Sequence, residues 1–295
     1  MRDRGFAARA IGGALLLVAA AGAVAAIALA LGFGDREPLE LRAARIARVA
    51  NAKASPDADP FVWSNDRRAE FEAGAATAAS HVIYEMSPDG VVASAERTEA
   101  FRDQIAAAAD RHDLDPDTLE ALIFLESAGR PDVIAGPTPE SAAGLGQILP
   151  STATDLLGMS VDLPQSIELT KRISSSDSAG ETERLQQERA AIDERFDPAA
   201  AIEGAATYLD IARQRFGDDQ LAIASYHMGI GNLESVLRAY AHAPDDTPIG
   251  ELVSSDHLSY PEVFFSAGPD SHRKAYELLS GFGDESSQYL WKVLA

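Results

Sequence analysis

The 295-residue chain predicts an all-α domain behind a single N-terminal transmembrane helix. Three observations carry this expectation. An uncharged run near the N-terminus is long enough to cross a bilayer, apolar residues recur at helical spacing from about residue 97 onward, and no segment alternates apolar and polar residues as a half-buried strand does. With 46% hydrophobic and 24% charged residues, the composition is that of a folded protein.

The N-terminal run comes first. Residues 10–34 hold 25 positions without a charge, more than the roughly 20 that span the hydrocarbon as a helix. Arg2, Arg4 and Arg9 make a basic leader, and Ala28-Leu29-Ala30 has the small-x-small form of a cleavage site, so a cleaved signal peptide is the alternative to an anchor. The length of the run favours the anchor. Arginines on both sides leave its orientation open. Residues 35–96 read as stalk, linker and accessory segment: an amphipathic or solvated helix at 39–52, a proline-containing linker at 54–66 in which Phe61 and Trp63 are docking candidates, and an alanine-rich helix to about residue 80. The apolar stretch His81–Met86 follows, ended by the turn composition Ser87-Pro88-Asp89-Gly90.

The net charge of −21 is uneven. Residues 1–53 carry eight Lys or Arg against Asp3, Asp35, Glu37 and Glu40, which leaves −25 on the remainder. Such a domain repels a phosphate backbone, so nucleic acid is not an expected partner. The absence of cysteine excludes disulfides, thiolate metal sites, a cysteine nucleophile and a lipidated cysteine.

From residue 97 the periodicity predicts helices at about 97–112, 116–128, 150–157, 181–195, 198–216, 218–228, 230–241, 270–281 and 285–294. Asp115-Pro116 and Asp197-Pro198 each place a capping carboxylate before a proline at the first helical position. Gly217 ends one helix and Asp218-Asp219 begin the next. The small polar stretch at 174–183 reads as a mobile excursion.

One carboxylate is out of place. Leu119, Leu122, Ile123 and Glu126 share one helical stripe, so Glu126 lies on the apolar face. Burial there disfavours the ionised form, the condition under which a carboxylic acid donates a proton at neutral pH; a solvated helix end is the bland alternative. Other chemistries fit less well. Asp113, Asp115 and Asp117 fail as a calcium loop, because Thr118 and Phe124 stand where glycine and glutamate are needed. The glycines at 144, 146, 229 and 231 lack the Gly-Lys-Ser/Thr of a phosphate loop, and no Gly-x-Ser-x-Gly elbow is present. The six histidines show no metal-binding spacing, so neither metal nor cofactor is expected.

Three segments then act together. Glu126-Ser127 at the end of its helix, Gly144-Leu145-Gly146-Gln147-Ile148-Leu149-Pro150, and Ser225-Tyr226-His227-Met228-Gly229-Ile230-Gly231-Asn232 occur in the order and approximate spacing of a known catalytic domain. Asp197-Pro198 with Gly204–Leu209, and Glu285 with Tyr289 to Leu294, extend the match. The chain over residues 97–295 resembles the catalytic domain of soluble lytic transglycosylases, in the goose-type lysozyme superfamily. It departs from that family in several ways. The loop at 136–140 is enlarged, Gly146 replaces a methionine, His227-Met228 replace Asn-Ala, and residues 158–196 and 241–284 are longer than a minimal domain carries. The chain also stops soon after Tyr289, which leaves the last helix little C-terminal sequence to pack on.

The resemblance implies a lysozyme-like helical fold and cleavage of the MurNAc-GlcNAc bond of peptidoglycan with a 1,6-anhydro product. Glu126 is then the catalytic residue, and Ser127, Gly144, Gln147, Tyr226, His227 and Tyr289 are the glycan-binding set. The partners implied are peptidoglycan strands and, through residues 10–34, the cytoplasmic membrane, with the catalytic domain outside. Two alternatives remain at this level. A hydrolytic lysozyme needs a second carboxylate, for which Asp132, Glu140 and Asp155 are sequence-near candidates, and a non-catalytic glycan-binding scaffold is suggested by His227-Met228 and the long segments.

Overall fold

The computed structural model describes residues 61–295, of which Val62–Ala295 form one compact unit. The expected membrane helix at 10–34, the segment at 39–52 and most of the linker lie outside the described residues. Among the described residues no helix is long and apolar enough to cross a membrane. The described chain is helical, and its only β pairing consists of isolated bridges.

The first helices differ from the periodicity in instructive ways. The alanine-rich helix does not end near residue 80 but runs through the apolar stretch as α1, Arg68–Met86. It stops where expected, at Ser87, whose extended backbone (ψ 122°) is what a residue before proline adopts. The single helix expected at 97–112 is two, α2 (Val91–Glu99) and α3 (Arg102–His112). The break at Ala100-Phe101 lets them serve different neighbours. α2 packs Thr98 and the backbone around it against Gly129, where an added Cβ would lie 2.5 Å from Arg97 C and Thr98 N. α3 instead buries Ile105, Ala108 and Ala109 in the main core.

Both expected Asp-Pro starts are present. Asp115 caps α4 (Pro116–Ser127) by accepting from Asp117 N, and Asp197 caps α7 (Pro198–Phe216) by accepting from Ala200 N. Between them the expected helix at 150–157 is a single π turn, Thr152–Leu156. Residues 158–196 are not an appendage. They form a helical hairpin, α5 (Leu163–Ser174) and α6 (Ala179–Ala190), so the mobile excursion shrinks to the few residues between them. α5 escaped the periodicity although Asp162 and Pro164 supply a cap and an early proline. The end of the stretch expected to be helical to 195 is a separate 3-10 turn, Glu194–Phe196.

α7 is the central helix, burying Ala201, Ile202, Ala205, Ala206, Leu209, Ala212 and Phe216. Its small residues admit close neighbours, chiefly α3 and α8 (Asp219–Met228). α9 (Ile230–Tyr240), α10 (Ile249–Ser255), α11 (Tyr260–Ser266), α12 (Arg273–Ser287, broken at Gly283) and α13 (Tyr289–Val293) follow. α10 and α11 have no counterpart in the sequence expectation. α13 also corrects it, because Tyr289, Leu290, Trp291 and Val293 are buried despite the short C-terminal remainder. The cover comes from the other end of the unit. α1 packs along α13, and Trp63 stacks on Phe265 (5.6 Å), which in turn lies 5.2 Å from Trp291. Of the two docking candidates, Trp63 thus docks.

The hairpin α5–α6 delivers one buried ion pair. Arg195 and Asp193 are both fully buried, joined by Nη2–Oδ2 at 2.7 Å and Nε–Oδ1 at 2.9 Å. Ser166 on α5 donates to Asp193 Oδ2 at 2.7 Å, and Arg195 donates to the carbonyls of Pro139, Ser141 and Ile148. The loop at 136–148 is thereby tied to the hairpin. Removing one partner of such a pair strands a buried charge, so Arg195→Met is expected to cost about 3–5 kcal/mol in urea unfolding, with much of the loss recovered in Arg195→Met/Asp193→Leu.

Candidate active site

α4 carries Glu126 to the floor of a cleft of about 610 Å³. Leu119, Leu122 and Ile123 on the same stripe are fully buried, while Glu126 emerges into the cleft at its end. The helix stops at once, because Ala128 and Gly129 both take left-handed backbone (φ 53° and 69°). Partner groups come from distant chain. Tyr289, itself buried, donates its hydroxyl to Glu126 Oε1 at 2.6 Å.

Burial raises the Glu126 carboxyl from 4.5 to about 7; the Tyr289 hydrogen bond and the Lys292 charge oppose the rise, and the Glu285 charge adds to it. Glu126 is thus divided between acid and carboxylate near neutrality, where a group that must first give and then take a proton is best placed. The phenols of Tyr289 and Tyr226 are pushed well above their ordinary values by burial first and the Glu126 charge second, so both remain neutral donors.

Tyr226 stacks near Tyr289 (centroids 6.2 Å apart) and donates to the Gly146 carbonyl at 2.7 Å. The replacement of a side chain by glycine at 146 has a local reason, since a Cβ there would lie 3.0 Å from the Tyr226 hydroxyl. Gln147 lines the cleft with left-handed backbone (φ 46°), a conformation costly for a residue with a side chain. Its amide offsets this by donating to Gly144 O (2.9 Å) and Val133 O (3.3 Å). His227 also lines the cleft, its Nδ1 2.9 Å from Ser286 Oγ, and burial lowers its pKa, which keeps it neutral.

Two expected glycan-binding residues sit differently. Ser127 lines the cleft, but its side chain is buried and its hydroxyl donates to the Ile123 carbonyl. Gly144 does not line the cleft. The close approach it permits is to protein backbone, where a Cβ would lie 1.6 Å from Arg195 O. The sequence-near carboxylates are likewise elsewhere: Asp132 pairs with Arg189 at 2.8 Å, while Glu140 and Asp155 accept from Thr138 and Thr154. The second carboxylate lining the cleft is Glu285, paired with Lys292 at 2.5 Å. Residue type and position within the C-terminal motif, either side of Tyr289, were the available signals for that pair. Nothing in the sequence pointed to Arg130 or to the end of α1, which also line it.

Because the Tyr289 hydroxyl favours the ionised form of Glu126, Tyr289→Phe is expected to move the Glu126 midpoint above about 7, read as the carboxyl-carbon shift in an NMR titration.

No curated protein matches the chain in a sequence comparison. A family model does: residues 103–248 match the Transglycosylase SLT domain, and this span contains Glu126, the Gly-Leu-Gly-Gln loop and Tyr226. Members of that family are lytic transglycosylases acting on peptidoglycan, within the lysozyme-like superfamily. The helical fold and the position of Glu126 at the end of α4 agree with this match, and residues 103–248 form a domain of the Transglycosylase SLT type.

Proposed function

We propose that this protein is a membrane-anchored lytic transglycosylase that cleaves the MurNAc-GlcNAc bond without water and closes a 1,6-anhydro ring. The observation that carries this reading is a single carboxyl, Glu126, with a pKa of about 7 and one oxygen already engaged by Tyr289. In this reading the other oxygen is the one that exchanges the proton with substrate. As the acid, Glu126 protonates the glycosidic oxygen as the C1–O bond breaks, and the 2-acetamido carbonyl of the muramoyl unit supports the cation at C1. As the carboxylate, Glu126 then takes the proton of the C6 hydroxyl while O6 bonds to C1. Proton and electron pairs balance, and no water is consumed. Tyr226 and Gln147 hold the facing loop through Gly146 and Gly144, and His227 adds a neutral polar group to the wall.

The hydrolytic alternative calls for a second carboxylate free to hold water. Asp132, Glu140 and Asp155 are engaged away from the cleft, and Glu285 is neutralised by Lys292, which favours the one-glutamate scheme. Peptidoglycan lies outside the cytoplasmic membrane, so residues 10–34 serve as an anchor that puts the acidic domain on the outer face. Protease accessibility of the domain on intact spheroplasts, together with N-terminal sequencing of the membrane fraction, tests the anchor against signal cleavage.

The chemistry is tested by digesting purified peptidoglycan in ¹⁸O-labelled water. Anhydromuramoyl ends without label are expected; labelled reducing ends would overturn the ring-closing scheme. Glu126→Gln is expected to lower the rate by at least about 10²-fold, the usual contribution of a general acid. Activity should fall as pH rises through about 7, where the acid form is lost. The same shift has a cost in stability. Burial raises the folded-state pKa from 4.5 to about 7, so stability present below 4.5 is lost as pH rises through that window. Glu126→Gln should therefore be more stable than the parent above pH 7, by up to about 3 kcal/mol in urea unfolding.

A further inference from the structure

The matched domain begins at residue 103, yet part of the cleft lining comes from before it. Val82 and Met86, one helical turn apart on α1, line the same cleft as Glu126 and are 38% and 68% exposed. Large apolar side chains left open in a cleft mark a surface that a ligand covers. This lining is firmly joined to the catalytic helix. Arg97 donates from Nη2 to Pro88 O (2.8 Å), just after α1, and from Nε to Ala128 O (2.9 Å), just after α4. Two residues beyond Ala128 stands Arg130, exposed and also lining the cleft.

Arg130 differs from the other charges there. Glu126 is bonded to Tyr289 and Glu285 is paired with Lys292, but Arg130 has only the bond from its Nε to Ser127 O (3.0 Å) and no ion pair with any described carboxylate. In a domain with a large excess of acid, a guanidinium that pairs with no described carboxylate is complementary to a carboxylate on a ligand. An apolar strip beside such a cation suits a short peptide bearing both small apolar side chains and free carboxylates.

Building on the assignment of the cleft to peptidoglycan cleavage, we propose that the last turns of α1 and Arg130 form a subsite for the glycan's peptide stem, with Val82 and Met86 against its apolar side chains and Arg130 on one of its carboxylates. The accessory helix outside the matched domain then selects strands that still carry peptides. A bare lactyl carboxylate offers the same anion without the apolar part, and stripped strands carry it, so the comparison below separates the two sources.

The test uses the full chain on two substrates, glycan strands with their stems and the same strands stripped by an amidase that leaves the lactyl acid. Parent kcat/KM is expected to be about tenfold higher on stem-bearing strands, the scale of one good charge-assisted contact. Arg130→Ala and Met86→Ser should each shrink that ratio several-fold through KM, and Arg130→Lys should restore part of it. Both side chains are exposed, so neither substitution removes core packing. Equal cleavage of the two strands by the parent, or a ratio unchanged in both variants, overturns the subsite. Cleavage of neither strand overturns the underlying activity and the subsite with it.

Discussion

Arg195 and Asp193 meet in the interior with no access to solvent, and much of the architecture of the candidate site follows from how their charges are satisfied. A buried guanidinium must find acceptors for its donors. Asp193 supplies two, and the carbonyls of Pro139, Ser141 and Ile148 supply the rest. Those carbonyls belong to a loop with little regular structure of its own, stitched by single bridges such as Ala143–Ile148. The pair therefore does for this loop what a sheet would do elsewhere. It also explains Gly144, pressed against the Arg195 carbonyl, and the left-handed Gln147 that closes the turn. Because Ser166 completes the acceptor Asp193, the α5–α6 hairpin belongs to the support of the site, although by length alone it reads as an insertion.

Glu126 shows the opposite use of burial. The ion pair is compensated on every side, whereas Glu126 has one phenol donor and a cleft. Its desolvation is left partly unanswered, and the raised pKa is the result. The fold tolerates an unfavourable carboxylate at the cleft. Two neutral tyrosines beside it keep the local environment polar without adding a positive charge that would pull the proton off.

A third feature is the mutual dependence of the two ends of the described chain. α13 presents Leu290 and Trp291 to the interior, and helix α1 and the aromatic group around Phe265 cover them. The same α1 reaches the cleft with its last turns. The segment that completes the core around Tyr289 thus also lines the cleft, which couples the position of the Glu126 partner to an element outside the matched domain.

How much of this was legible in the sequence depends on the range of the interaction concerned. Asp-Pro helix starts, the glycine stop at 217 and the placement of Glu126 at the end of an apolar stripe are local, and each was readable because a cap or a helical face involves residues within a turn or two of one another. The order of the three motifs was readable for the same reason, and it pointed to the right family. The bent α2–α3, the short α10 and α11 and the π turn were not, since their boundaries answer to neighbours rather than to their own periodicity. The same limit applies to the site. The sequence by itself determined which carboxylate would be buried and which residue types would accompany it. Only the tertiary structure decided that Tyr289, 163 positions away, would hold that carboxylate, that Gly144 would face Arg195 rather than the cleft, and that Arg130 and α1 would line it, because these contacts are made by packing between elements and leave no pattern along the chain.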